Sequence, residues 1–247
     1  MELEAKARST AILATNTSTF PLEKIGANLK NPARIIGIHF FNPVAKMQLV
    51  EIVSNRNTSE DLVKQAMSFV ASIDKLPLPV TSSPGFLVNR ILVPYLLESV
   101  ALLEEGVQPE IIDQAALDFG MPMGPVELAD TVGLDICKAA AASLDLAVPS
   151  MVEDLIKQGK LGKKTSAGFY TYKNGKKMQH KNIDSSFIPS DTKERLVNSL
   201  LAASKQCLND KVVADADLLD AGMILGAGFA PFRGGPMNYI QDMDSNK

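Results

Sequence analysis

The 247-residue sequence is poor in several things that usually announce a function. It has two cysteines, Cys137 and Cys207, both within mostly apolar helical patterns. That excludes a disulfide framework and reads as buried free thiols in a reducing compartment. No apolar run reaches the ~20 residues that a bilayer span needs. Neither sign of charge dominates: 25 basic against 28 acidic residues give a net charge of −3. With a pI near 5.5, nucleic acid and anionic membrane are poor candidates for the main partner. There is no Gly-x-Gly-x-x-Gly turn between a strand and a helix. The cluster from Gly222 to Gly228, with Gly234-Gly235, follows a helical segment and reads as tight turns. Histidine is scarce too, with two in the chain.

A 46% hydrophobic content leaves room for a sizeable core and two or three small domains. The opening Met1-Glu2-Leu3-Glu4-Ala5-Lys6-Ala7-Arg8 reads as charged amphipathic helix, not signal peptide, and looks like the last turns of a longer helix. Residues 11–16, 34–39, 48–53 and 78–80 read as short strands, with a helical period over 59–74 between the last two. Strand alternating with helix points to part of a layered α/β sheet. Ser82-Ser83-Pro84-Gly85 breaks both patterns and reads as a hinge. Beyond it the spacing predicts helices over 86–105, 108–119, 125–143 and 150–159, a basic glycine-containing loop over 160–172, and a polar linker over 173–190. A third block, 191–240, partly echoes the second: Asp113 aligns with Asp220, and Met121-Pro122-Met123-Gly124-Pro125 with Phe229 to Pro236. We read this as a degenerate duplication. The expected domains are thus 1–84, 85–180 and 185–247.

Four segments place polar residues where an apolar pattern does not call for them. They are Thr15-Asn16-Thr17-Ser18, His39 with Asn42, Glu51, and Pro84-Gly85-Phe86-Leu87-Val88-Asn89-Arg90. Each has a bland reading. Asn16 to Ser18 could end a strand and cap a helix, His39 could be a satisfied core histidine, Glu51 could face solvent from an edge strand, and Asn89 could sit at a helix start. A histidine at a strand end that meets a carboxylate from the next strand makes a base poised near neutral pH.

In this order and spacing, the segments resemble the 3-hydroxyacyl-CoA dehydrogenase family. The resemblance rests on His39-Phe40-Phe41-Asn42-Pro43-Val44, Glu51 twelve residues on, and Pro84 to Arg90, whose Asn89 lies fifty residues after His39. It implies a partial Rossmann-like α/β sheet, matching the second half of an NAD-binding domain, followed by an all-α helical C-terminal domain. Residues 191–240 resemble the second helical copy found in multifunctional β-oxidation proteins. The implied reaction is NAD-dependent oxidation of (S)-3-hydroxyacyl-CoA to 3-oxoacyl-CoA. It gives His39 the role of general base and Glu51 that of its orienting partner. Ser18 falls near the reacting oxygen and, with Asn16, on the cofactor side, while Asn89 holds substrate and Asn42 supports the network. No metal is expected at the site.

The family's glycine-rich phosphate loop lies upstream of the point matching residue 1, and the hydratase domain of multifunctional relatives is likewise not matched. The expectation is therefore an N-terminal truncation whose residues 1–80 are less stable than the helices. Such a chain would pair with a like chain or with the rest of its parent. A catalytically silent acyl-CoA-binding or assembly module is the alternative. A related hydroxyacid dehydrogenase acting without CoA is the third reading, and the HFFNPV and PGFLVNR pair counts against it. A bacterial cytoplasm is the favoured setting, with a mitochondrial one left open.

Overall fold

The computed structural model describes residues 2–18, 20–178 and 191–245. Most of the expected linker, 179–190, lies outside the described residues, as does the chain end 246–247.

A four-stranded sheet forms from β1 (Leu13–Thr15), β2 (Ile35–Phe40), β3 (Leu49–Ser54) and β4 (Leu76–Thr81), in that spatial order. β1 and β2 are parallel, β2 and β3 antiparallel, and β3 and β4 parallel. The expected β-run over 11–16 is shorter than foreseen. The one over 78–80 is longer and passes through Pro77 and Pro79. Proline has no N–H to donate, so it survives in a strand only where that side is unpaired. Here β4 is the sheet edge, and Leu76, Leu78 and Val80 alternate with the prolines.

The central strands read as nearly continuous apolar runs because both faces are covered. On one face Ile36, Ile38, Val50 and Ile52 pack against α3 (Glu60–Ser72) through Leu62, Ala66 and Val70. Ser59 starts that helix by accepting a hydrogen bond from Leu62 N at 3.3 Å. The other face carries Ile35, Leu49, Val53, Leu78 and Val80, which share one core with the helices that follow. Two short helices, α1 (Glu2–Lys6) and α2 (Leu22–Gly26), complete this part.

The helical part comprises α4 (Val88–Glu104), α5 (Pro109–Phe119), α6 (Pro125–Val132), α7 (Leu134–Ser143) and α8 (Ser150–Lys157). The single helix expected over 125–143 is two. Gly133, at φ +106°, takes a backbone conformation that turns the chain between them. After a β-hairpin, β5 (Tyr172–Lys173) with β6 (Lys176–Lys177), come α9 (Thr192–Asn209), α10 (Ala216–Ala227) and α11 (Pro236–Ser245). α9 lies along α4, while α5 touches α9 and α10 touches α4.

One device occurs twice. Asp113, buried on α5, accepts from the Val126 and Glu127 amides at 2.8 and 3.2 Å and so caps α6. Asp220, buried on α10, accepts from the Met237 and Asn238 amides at 2.7 and 3.0 Å and caps α11. In each case a glycine just before the capped helix lies against the aspartate: a Cβ on Gly124 would meet that of Asp113 at 2.2 Å, and one on Gly235 that of Asp220 at 2.3 Å. Burial raises both carboxyls above the usual carboxylate range, and the amides pull back against it.

Candidate active site

The register of β2 on β3 sets His39 directly opposite Glu51. Both side chains point to the face shared with the helices, and they are 5% and 0% exposed. The solvated-edge reading of Glu51 therefore fails: β3 has a neighbour on each side and cover on both faces. A buried carboxylate is costly unless it is fully hydrogen-bonded, and this one is. Oε2 contacts His39 Nδ1 at 2.7 Å, and Oε1 accepts from the amides of Leu87 and Val88, each at 3.0 Å.

Those amides open α4, whose preceding residue, Leu87, has no side chain able to cap it. Glu51 thus reaches from the sheet to do a cap's work, with its negative charge at the positive end of the helix. The turn that presents the amides has two residues in left-handed conformation, Gly85 at φ +72° and Phe86 at φ +51°. The Phe86 ring is 1% exposed and meets the imidazole edge to face, centroids 5.5 Å apart, and Phe41 does the same at 4.8 Å. Histidine Nδ1 is thereby committed to the carboxylate. Nε2 is the ring nitrogen that Glu51 does not engage, and two aromatic rings flank the imidazole.

The other sequence candidates take no part in the pair's own hydrogen bonds, but several stand close by. Asn16, at the end of β1, accepts from Phe40 N at 2.9 Å, which pins the loop carrying part-buried Ser18 to the residue after His39. Asn89 sits in the first turn of α4, one residue past the Val88 amide, so its helix-start reading holds and is no obstacle to a site role. Asn42 is exposed in the turn after β2. The Leu87 and Val88 amides and the Phe86 ring belong to the pair's surroundings without a sequence motif that points to them. The available signal was a long helix with no Ser, Thr, Asp or Asn at its N-cap.

The carboxyl ends of parallel β1 and β2, with Asn16 and His39, form the kind of edge at which open α/β sheets receive nucleotides. These residues fit the reacting end of a dinucleotide. They do not offer its pyrophosphate a cradle, because the helix N-terminus beside the pair, that of α4, already holds Glu51.

The fold is that of a two-part chain, a nucleotide-type sheet followed by helices. Residues 1–83 match the family model for the 3-hydroxyacyl-CoA dehydrogenase NAD-binding domain, and residues 85–172 that for its C-terminal domain. The chain belongs to the 3-hydroxyacyl-CoA dehydrogenase family. It is 37% identical over 253 residues to the fatty acid oxidation complex subunit alpha of Vibrio vulnificus, covering 97% of this chain and 36% of that one. The crystal structure of 3-hydroxybutyryl-CoA dehydrogenase from Escherichia coli K12 superposes with a TM-score of 0.81 at 25% identity, over 98% of this chain and 70% of that one. The dehydrogenase part of multifunctional enzyme 1 from C. elegans gives a TM-score of 0.62 at 30% identity, over 91% and 56%. The chain thus spans about a third of the length of the curated relatives it matches. Among the described residues no helix is long and apolar enough to cross a membrane.

Proposed function

We propose that this chain carries the reacting centre of an NAD-dependent (S)-3-hydroxyacyl-CoA dehydrogenase of fatty-acid β-oxidation, in a bacterial cytoplasmic setting. The observation that carries the reading is the His39–Glu51 contact, with the carboxylate held at its far side by the α4 amides. Glu51 keeps the proton of the neutral imidazole on Nδ1, so Nε2 accepts the proton of the substrate's 3-hydroxyl. As that O–H bond breaks, C3 becomes a carbonyl carbon. NAD, when bound, supplies the hydride acceptor. The imidazolium that results stays beside a buried carboxylate, and positioned groups of this kind contribute on the order of 10²- to 10⁴-fold in rate. In this reading Ser18 and Asn89 contact the substrate, Asn16 and Ser18 border the cofactor, and Asn42 supports the turn. We also read α4–α6 and α9–α11 as two copies of one helical unit, on the strength of the twinned Asp113 and Asp220 caps.

The second reading, an acyl-CoA-binding or assembly module without turnover, is favoured by the filled α4 N-terminus, which leaves the pyrophosphate without a cradle there. Calorimetric titration with NADH, then acetoacetyl-CoA, separates the two. Binding of both, with turnover abolished by His39→Ala, supports the dehydrogenase. Binding of acetoacetyl-CoA alone supports the module.

A further inference from the structure

The first turn of α4, which holds Glu51, is itself held from behind by the chain's last block. A Cβ on Gly222 of α10 would meet Leu87 Cδ2 at 2.7 Å and Leu78 Cδ2 at 2.8 Å. One turn on, a Cβ on Gly226 would meet Val88 Cγ2 at 2.7 Å and Leu49 Cδ2 at 2.8 Å. The two residues pressed by the glycines are therefore those whose amides bond Glu51. The neighbours have little room to yield, since Leu49, Leu78, Leu87 and Val88 are each 3% exposed or less. Arg90, two residues further along α4, is ion-paired to Asp210 at the end of α9. The sheet is tied to the same block, for Thr81 at the end of β4 donates from its N to Val212 O at 2.8 Å and from its Oγ1 to Lys211 O at 3.0 Å.

These contacts bring the last block onto the first turn of α4 and onto the strand end beside it. Glycine inside a helix costs roughly 1 kcal/mol against alanine, and α10 carries two of them at the points of closest approach. We propose that residues 191–245 position the catalytic pair, with Gly222 and Gly226 as positioning residues that let α10 clamp the α4 amides onto Glu51. The inference rests on the reading of His39 and Glu51 as that pair. It assigns the last block a part in the chemistry although none of its residues reaches the reacting atoms.

The test is amide hydrogen exchange together with imidazole nitrogen spectra on the whole chain, carrying Gly226→Ala, Gly222→Ala or Val88→Ala. Only two histidines are present, so the His39 signals are identified by their loss in His39→Gln. In Gly226→Ala the Leu87 and Val88 amides are expected to exchange about tenfold faster or more, and the Nδ1-protonated form of His39 to lose its dominance. Val88→Ala, which removes the pressed surface from the other side without overpacking, should do the same. Leu225→Ala, on the exposed side of α10, should change neither readout. The proposal is overturned if the glycine variants keep wild-type exchange at Leu87 and Val88. It is equally overturned if every amide in the chain loosens alike, which is what lost stability alone would produce. Neither readout needs turnover, so an inactive wild-type chain would sink the dehydrogenase reading and leave this test intact.

Discussion

Glu51 divides its carboxylate between His39 and the start of α4, one oxygen to each, so a single side chain fixes both the imidazole and the approach of the helical part. Glu51→Gln separates these duties. The glutamine oxygen still accepts from the Leu87 and Val88 amides, which leaves its NH₂ facing Nδ1. A donor there forces the imidazole proton onto Nε2, the nitrogen that accepts the hydroxyl proton in the proposed reaction. The expected result is a folded protein whose kcat for acetoacetyl-CoA reduction by NADH falls about 10²- to 10⁴-fold with a much smaller change in KM. A kcat within a factor of two of wild type would remove Glu51 from the mechanism.

Phe86 gives an inverted order of substitutions. At an ordinary buried position glycine is worse than alanine by roughly 0.5–1 kcal/mol. Phe86 has φ +51°, where a Cβ is strained by about 1–2 kcal/mol. Deleting the ring costs both variants the same packing, on the order of 3–5 kcal/mol. Phe86→Gly should therefore be at least as stable as Phe86→Ala in urea melts. An alanine variant more stable than the glycine one would mean that the turn relaxes once the ring is gone.

Gly37 pairs with Val53 across β2 and β3, two residues before the His39–Glu51 pair. A Cβ at 37 would lie 2.7 Å from Val53 Cβ, an atom fixed to the backbone rather than the tip of a mobile chain. Gly37→Ala should cost about 1–3 kcal/mol. Adding Val53→Ala should not rescue it, because alanine keeps the offending Cβ, whereas Val53→Gly should relieve the clash. Chemical denaturation of the three variants checks the order.

What was legible in the chain had a side-chain pattern to carry it. The runs Ile35–Phe40 and Leu49–Ser54 read as strands, and His39 and Glu51 form a cross-strand pair because the buried faces of both strands fix their register. The hidden half of the site was backbone. Nothing in the identities of Leu87 and Val88 says that their amides meet a carboxylate thirty-six and thirty-seven residues away. The strand over 78–80 reads through Pro79 but stops short of Pro77, whose place in β4 follows only once the strand is known to be an edge. The α6–α7 break at Gly133 is not legible in the sequence, because one glycine in an apolar helical period does not disclose its positive φ. Asp113 and Asp220 could be aligned from sequence, but their shared task as helix caps appeared only once the chain had folded.

Asp130 offers a pH dependence opposite to that of most carboxylates. It is fully buried on α6, where it accepts from Phe169 N at 2.9 Å, Tyr170 N at 2.8 Å and the Tyr172 hydroxyl at 3.1 Å. Burial is the largest influence and pushes the carboxyl above its usual range, while those hydrogen bonds pull it partly back. The folded protein therefore binds this proton more tightly than the unfolded chain does. The associated stability is full below the unfolded-state value of about 3.9 and is lost as pH rises through the raised folded value. Asn at this position does not titrate, and its NH₂ faces donors that the carboxylate had satisfied, so Asp130→Asn should be destabilised by roughly 1–3 kcal/mol. The gap between wild type and variant should be widest near the unfolded-state value and narrow toward neutral pH. Urea melts of both proteins at acidic and neutral pH read it directly. A gap that widens on going to neutral pH would mean that the three donors outweigh burial and hold the carboxyl below its usual range.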